Sequence, residues 1–184
     1  YGGNWKALHY AARKFFSPLL VSMRDLDNKI EIHVVNDQHH EVESEIRLGL
    51  FNFNGDTLFN DSSDIKVEPF SSVIYHAFDK DDLLGGSDPS AIIFRADLFV
   101  GGKVLSRAHQ FFNRPKHLSI PSPEFDYEIE RVSGKYVITV KSKSFLCQLH
   151  LISIKVRGVF SNNYFDMLPG EVQMIDFEPS ENEE

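Results

Sequence analysis

The feature that most constrains this chain is a period of two. In KIEIHVVN, residues 29–36, Ile30, Ile32 and Val34 alternate with Glu31 and His33. That is the pattern of a strand with one buried and one wet face. The alternation returns in EIRLGLFNFNGDTLFN through Ile46, Leu48 and Leu50, and runs into Asn54-Gly55, a strong hairpin signal. LLVSM is short and apolar, and IKVEPFSSVIYHAF holds another strand interrupted by Pro69. AIIFRADLFV and KVLSRAHQFF flank Gly101-Gly102 as a second hairpin, and DKDDLLGGSDPS between them and the preceding strand reads as a polar loop. About six or seven strands are expected between Leu19 and Phe112, with turns every ten residues or so, which is the signature of an antiparallel β-sandwich.

NRPKHLSIPSPEF breaks the pattern. Its Pro115, Pro121 and Pro123 make an extended linker. A second strand-rich block follows. It has a hairpin turning at Ser133-Gly134, a central strand in FLCQLHLISI, and a turn at Pro169-Gly170 before a closing strand. A block of about 65 residues suffices for a minimal sandwich that leans on a neighbour.

The head of the chain obeys another period. In YGGNWKALHYAARKFFSP, the residues Trp5, Leu8, Ala12, Phe15, Phe16 and Leu19 recur at three- and four-residue steps, which places them on one helix face. Asn4 is placed to cap this helix, and Pro18 ends it at Ser17. A stripe this rich in aromatics calls for a large packing partner.

Composition narrows the function. A net charge of -8 argues against a phosphate-backbone partner, which needs clustered Lys and Arg, so no nucleic acid is expected. No apolar run approaches the roughly 20 residues that cross a bilayer. No secretory signal heads the chain; it does not begin with Met, so a piece of a larger protein is expected. The single Cys147 lies in an apolar run and reads as a buried, inert thiol. Glu31, Glu128 and Glu130 read as solvent-facing strand residues, and Asp79, Asp81, Asp82 and Asp88 lack the spacing of a calcium loop. His9, His33, His39, His40, His76, His109, His117 and His150 show no zinc spacing, and the adjacent His39 and His40 are expected to diverge. No phosphate loop, dinucleotide fingerprint or nucleophile elbow occurs. Tyr75, Tyr127 and Tyr136 sit in strands, where aromatic packing is the default. Asn60-Asp61-Ser62 matches the N-glycosylation sequon. The residues themselves supply no catalytic, cofactor or metal site.

Two stretches carry a family resemblance. NWKALHYAARKFFSPLLVS, through Trp5, Lys6, Leu8, His9, Tyr10, Lys14, Phe15, Phe16 and Pro18, resembles the junction at the end of the catalytic barrel in family 2 β-mannosidases. VRGVFSNNYFDMLPGE, through Gly158, Phe160, Ser161, Asn163 and Phe165, is similar to the end motif of that family's last Ig-like domain, with Asn162 where Asp is usual. The resemblance implies an all-β fold: two tandem immunoglobulin-like β-sandwiches preceded by one α-helix left over from a (β/α)8 barrel. It implies a barrel helix over 1–17, a sandwich over 18–115, a linker over 116–123 and a smaller sandwich over 124–184. It implies the C-terminal part of a retaining enzyme that releases terminal β-mannose with two glutamates at barrel strand ends. The one Asn-Glu here, Asn182-Glu183, is in the acidic tail, so both glutamates are expected elsewhere. The implied role is therefore structural: no catalytic, cofactor or metal residue, and a Trp5, Leu8, Phe15, Phe16 stripe packed on the barrel and the first sandwich. Relatives of the family are lysosomal, periplasmic or secreted. The alternatives are a carbohydrate-binding sandwich, accessory domains of another family 2 enzyme such as a β-galactosidase, and a surface adhesion module.

Overall fold

The computed structural model describes residues 5–180; the expected cap Asn4 and the Asn182-Glu183 pair lie outside them. The described residues carry thirteen strands, two α-helices and one 3-10 turn. They group into two compact units, one of residues 14–52 and 56–119, the other of 5–13, 53–55 and 120–180.

The first unit is a seven-stranded sandwich. Strands β1 (Leu19–Leu26), β2 (Lys29–Asn36) and β5 (Ser71–Asp79) form one sheet in the order β1-β2-β5. Strands β3 (Val42–Asn52), β4 (Thr57–Val67), β6 (Ile92–Val100) and β7 (Lys103–Phe111) form the other, in the order β4-β3-β6-β7. All pairings are antiparallel. The chain changes sheet after β2, after β4 and after β5, which gives Greek-key connections of the immunoglobulin type. Ile30, Ile32, Val34, Ile46, Leu48 and Leu50 are all buried in its core, with Phe94, Ala96 and Leu98 of β6. The alternation places them there, because a period of two sends every second side chain to the same layer.

Two local expectations change. Pro69 does not interrupt one strand. β4 ends at Val67 and β5 begins at Ser71 in the other sheet, with Phe70 between them at φ 48. The polar loop after β5 contains a short helix, α2 (Lys80–Leu84), because Asp79 accepts from the backbone N–H groups of Asp81 and Asp82 and Gly85 closes it in the left-handed region. The hairpin at Gly101-Gly102 forms as expected, both residues having positive φ.

A buried polar node ties this sandwich together. Asn36 is fully buried, and its Nδ2 donates to the carbonyl oxygens of His40 and Val67 at 3.0 Å and of Glu68 at 3.2 Å, while its Oδ1 accepts from Gln38 N at 3.0 Å. One side chain thus holds the crossing after β2 to the crossing after β4.

The second unit is a smaller sandwich. Strands β8 (Phe125–Val132), β9 (Lys135–Ser142), β11 (Gly158–Phe160) and β13 (Val172–Pro179) form a sheet in the order β11-β13-β9-β8. β10 (Leu146–Leu149) and β12 (Phe165–Met167) form a two-stranded sheet. Ser133 and Gly134 turn the β8–β9 hairpin with φ 50 and 83. FLCQLHLISI is not a central strand. β10 is four residues long, and Gln148 within it, at φ 52, sets a register shift between the pairs Leu146–Met167 and Leu149–Phe165. Among the described residues no helix is long and apolar enough to cross a membrane.

The Asn36 node yields a test. Asn36→Leu strands three carbonyls and one amide near the core, and each unsatisfied buried group costs about 1–3 kcal/mol. A loss of about 3 kcal/mol in urea-unfolding free energy is expected; a change below about 0.5 kcal/mol contradicts the node.

Candidate packing and binding surfaces

The first helix, α1 (Ala7–Phe15), stops before Pro18 as its sequence dictates. Its one buried residue is Tyr10. The ring joins the core of the second unit with Val140, Leu146, Phe160, Ile175 and Phe177, and lies 6.0 Å from the Tyr164 ring. Arg13, one turn on, donates from Nη1 to the Ser161 carbonyl at 3.3 Å.

The apolar stripe faces the other way. Leu8, Phe15 and Phe16 are 75%, 69% and 86% exposed. Trp5, at 39%, is partly covered by Tyr10 and His9, with ring centroids at 5.5 and 6.0 Å. The cause of this exposure is angular. At 100° per residue, Tyr10 projects roughly opposite the Leu8, Ala12, Phe15 direction, so docking Tyr10 turns the stripe outward.

The second motif is a set of ties. Gly158 permits close approach of β11 to β13, since a Cβ there would fall 2.3 Å from the Glu178 carbonyl oxygen. Ser161 Oγ accepts from Asp176 N at 2.9 Å. Buried Asn163 accepts from Leu151 N at 2.8 Å and donates to Leu151 O at 2.9 Å. Asn162 Oδ1 accepts from Asn163 N at 3.0 Å, an acceptor role that needs no carboxylate.

Beside these ties lies a cavity of about 390 Å³ whose lining includes Phe125, Tyr127, Ile129, Tyr136 and Ile152. Its rim is open: Tyr127 and Ile129 are 63% and 57% exposed. Tyr127 and Tyr136 are thus brought together, but Ser153 is the one lining residue besides the tyrosines with a polar side chain, and its hydroxyl already donates to Val156 O at 2.6 Å. A sugar ring needs several convergent hydrogen-bonding groups beside its stacking face, and this lining is poor in them.

The other candidates have local partners. Asp79 caps α2, and Asp88 accepts from Ser90 N and Oγ, both at 2.9 Å, which holds its carboxyl below the usual range. Arg47 lowers the Glu45 carboxyl in the same direction. A general acid needs the opposite shift. Glu31 pairs with His33 at 3.0 Å rather than facing open solvent, while Glu128 and Glu130 are exposed. Tyr75 donates to Lys66 O at 2.7 Å. The His39 and His40 rings do not diverge; they meet edge-on with centroids 5.0 Å apart. His150 stacks on Tyr164 and shares a hydrogen bond with its hydroxyl at 2.8 Å. Among the described residues no three His, Cys, Asp or Glu side chains gather to hold a metal. Cys147 is half-buried, and burial, with the Asp166 charge behind it, pushes its thiol up to about 11.

The comparisons with known proteins fit this anatomy. Residues 28–117 match the model of the Mannosidase Ig/CBM-like domain and residues 120–184 that of an Ig-fold domain of mannosidases. Beta-mannosidase A of Emericella nidulans is 23% identical over 192 residues, covering 96% of this chain and 20% of its own length. The crystal structure of a beta-D-mannosidase from Dictyoglomus thermophilum superposes with a TM-score of 0.81 at 20% identity, over 92% of this chain and 20% of that one. An Amycolatopsis orientalis exo-chitosanase superposes at 0.65 with 14% identity, over 92% of this chain and 24% of that one. The chain spans about a fifth of the length of the curated relatives it matches.

Two outcomes are expected. Tyr10→Ala removes a buried ring and lowers unfolding free energy by about 3 kcal/mol, whereas Leu8→Ser stays within about 0.5 kcal/mol; equal losses would contradict the orientation of α1. Because the Cys147 thiol is raised in the folded state, stability is full below about pH 8.5, the free-thiol value, and declines as pH rises through about 11. Alkylation by iodoacetamide at pH 8 therefore lags that of a model thiol, and equal rates would contradict the burial effect.

Proposed function

The chain belongs to the tandem Ig-like region of the family 2 β-mannosidases, and on that premise we propose that it is a non-catalytic accessory region that braces the catalytic barrel of a larger enzyme. That enzyme, on this reading, hydrolyses terminal β-D-mannose from glycans, and its acid/base and nucleophile lie outside these residues. We divide the chain as a barrel-ending segment over 1–17 that holds α1, a sandwich over 18–115, a linker over 116–123 and a small sandwich over 124–184.

The observation that carries the reading is the outward stripe of α1. A helix anchored by Tyr10 on one side and offering Leu8, Phe15 and Phe16 on the other is suited to lie between the small sandwich and a further apolar surface. Isolated exposed apolar residues are ordinary, but three large ones in a helical row mark a contact face. The carboxylates support the same reading, since Asp79 caps α2, and Asp88 and Glu45 are held below the usual carboxylate range by Ser90 and by Arg47.

The test compares the isolated chain with the full-length protein. The full protein is expected to release chromophore from an aryl β-mannoside, and the chain alone to release none; turnover by the chain sinks the proposal. Leu8→Asp is expected to cost the full protein about 2 kcal/mol, the worth of a buried leucine, and the isolated chain almost nothing. Equal effects on both would show that the stripe has no partner.

A further inference from the structure

Neither the sandwich core nor the bracing role uses Asn60-Asp61-Ser62. The tripeptide lies in β4, the outer strand of its sheet, which pairs with β3 alone. Phe59 packs against the core, so its neighbour Asn60 turns outward, and Asn60 and Ser62 are both exposed. The register sets Asn60 opposite Gly49, so no side chain stands across from it. The Phe51 ring occupies that place instead, since a Cβ on Gly49 would fall 2.4 Å from Phe51 Cε2 and Cζ. Leu58, two residues before Asn60 at the register shift between β3 and β4, is exposed as well.

We propose that Asn60 is an N-glycosylation acceptor. The co-substrate is a lipid-linked oligosaccharide pyrophosphate, supplied in a secretory lumen. The Asn60 carboxamide nitrogen bonds to the anomeric carbon of the first sugar and loses one proton. The anomeric C–O bond breaks, and the lipid pyrophosphate leaves with the electron pair. Ser62 supplies the hydroxyl two residues on that the acceptor motif requires. Because the transfer precedes folding, the folded protein must have room for the product, and an outward side chain on an edge strand gives it. The first sugar then rests its C–H face beside Phe51. The glycan also screens the free edge of β4, whose unpaired backbone groups are otherwise a template for strand addition. This inference is independent of the mannosidase reading.

The experiment is translation of the full-length protein, behind a secretory signal, in a system containing endoplasmic-reticulum microsomes. The peptide holding Asn60 is then mapped by mass spectrometry before and after peptide-N-glycosidase. Expected is a glycosylated peptide that the glycosidase converts to one with Asp at position 60. Asn60→Gln and Ser62→Ala abolish it, and Ser62→Thr retains it. An Asn60 peptide found wholly unmodified in translocated protein overturns the proposal, as does a glycan there that survives Ser62→Ala. Light scattering tests the screening: the deglycosylated protein is expected to self-associate more than the glycosylated form, and equal association overturns that part.

Discussion

Burial of the Tyr10 ring decides what the head of this chain offers to its surroundings. A helix of nine residues is too short to persist on its own in water, so something must hold it, and the core of the second unit does so through Tyr10. Once that ring is fixed, the helix has no rotational freedom left. Leu8, Phe15 and Phe16 must point outward, and Arg13 must fall within reach of the Ser161 carbonyl. The two stretches that carry the family resemblance are therefore parts of one packed arrangement. Tyr10 of the first rests on Phe160, Tyr164 and Phe165 of the second.

The first sandwich was almost fully legible in the sequence, because its signal is local. Each of β2, β3 and β6 carries its own run of inward residues, and glycine at positive φ marks the turn after β6. Period and turn chemistry suffice when every strand has a buried face. What was not legible is the direction of α1. Apolar spacing identified a stripe correctly as a stripe, but spacing cannot say which of two faces meets the core. Tyr10 reads as amphipathic by composition, and its burial depends on Phe160 and Ile175, about 150 residues away. The same limit hid the short helix after β5, whose existence rests on one capping carboxylate, Asp79, in a run of acidic residues that looked merely solvated.

The carboxylates show how structure narrows chemistry that composition leaves open. Of the 27 acidic residues, several that a sequence reader would weigh as acid, base or cation ligand are held in other tasks. Asp97, largely buried, takes a bidentate contact from Arg107 at 2.6 and 3.0 Å. Glu171 accepts from Leu168 N at 2.8 Å within the turn before β13, and Asp166 accepts from Gln148 N at 2.6 Å. Each of these carboxylates is taken up by a donor of its own unit. A hydrolase of sugars needs one carboxyl held neutral beside another held charged. These carboxylates serve instead as acceptors that hold strands and turns in place.

Asp166 and Asn163 also explain how the small sandwich manages with so thin a second layer. β10 is only four residues long, and Gln148 at φ 52 interrupts its ladder between Leu146 and Leu149. The backbone beyond it would lose its partners, and buried backbone groups rarely go unpaired. Side chains replace the missing strand. Asp166 takes the Gln148 N–H, and the Asn163 carboxamide, presenting one acceptor and one donor as a peptide group does, takes both the N–H and the C=O of Leu151. Met167 and Leu146 keep the short ladder in register at its other end. The apolar cavity follows from the same substitution. A side chain can satisfy two backbone groups, but it cannot supply the row of inward residues that a full strand would have set against Tyr127, Ile129 and Ile138. The inner face of β8 and β9 is thus left partly uncovered where the second layer ends, and the polar ties and the open apolar rim both follow from the shortness of that layer.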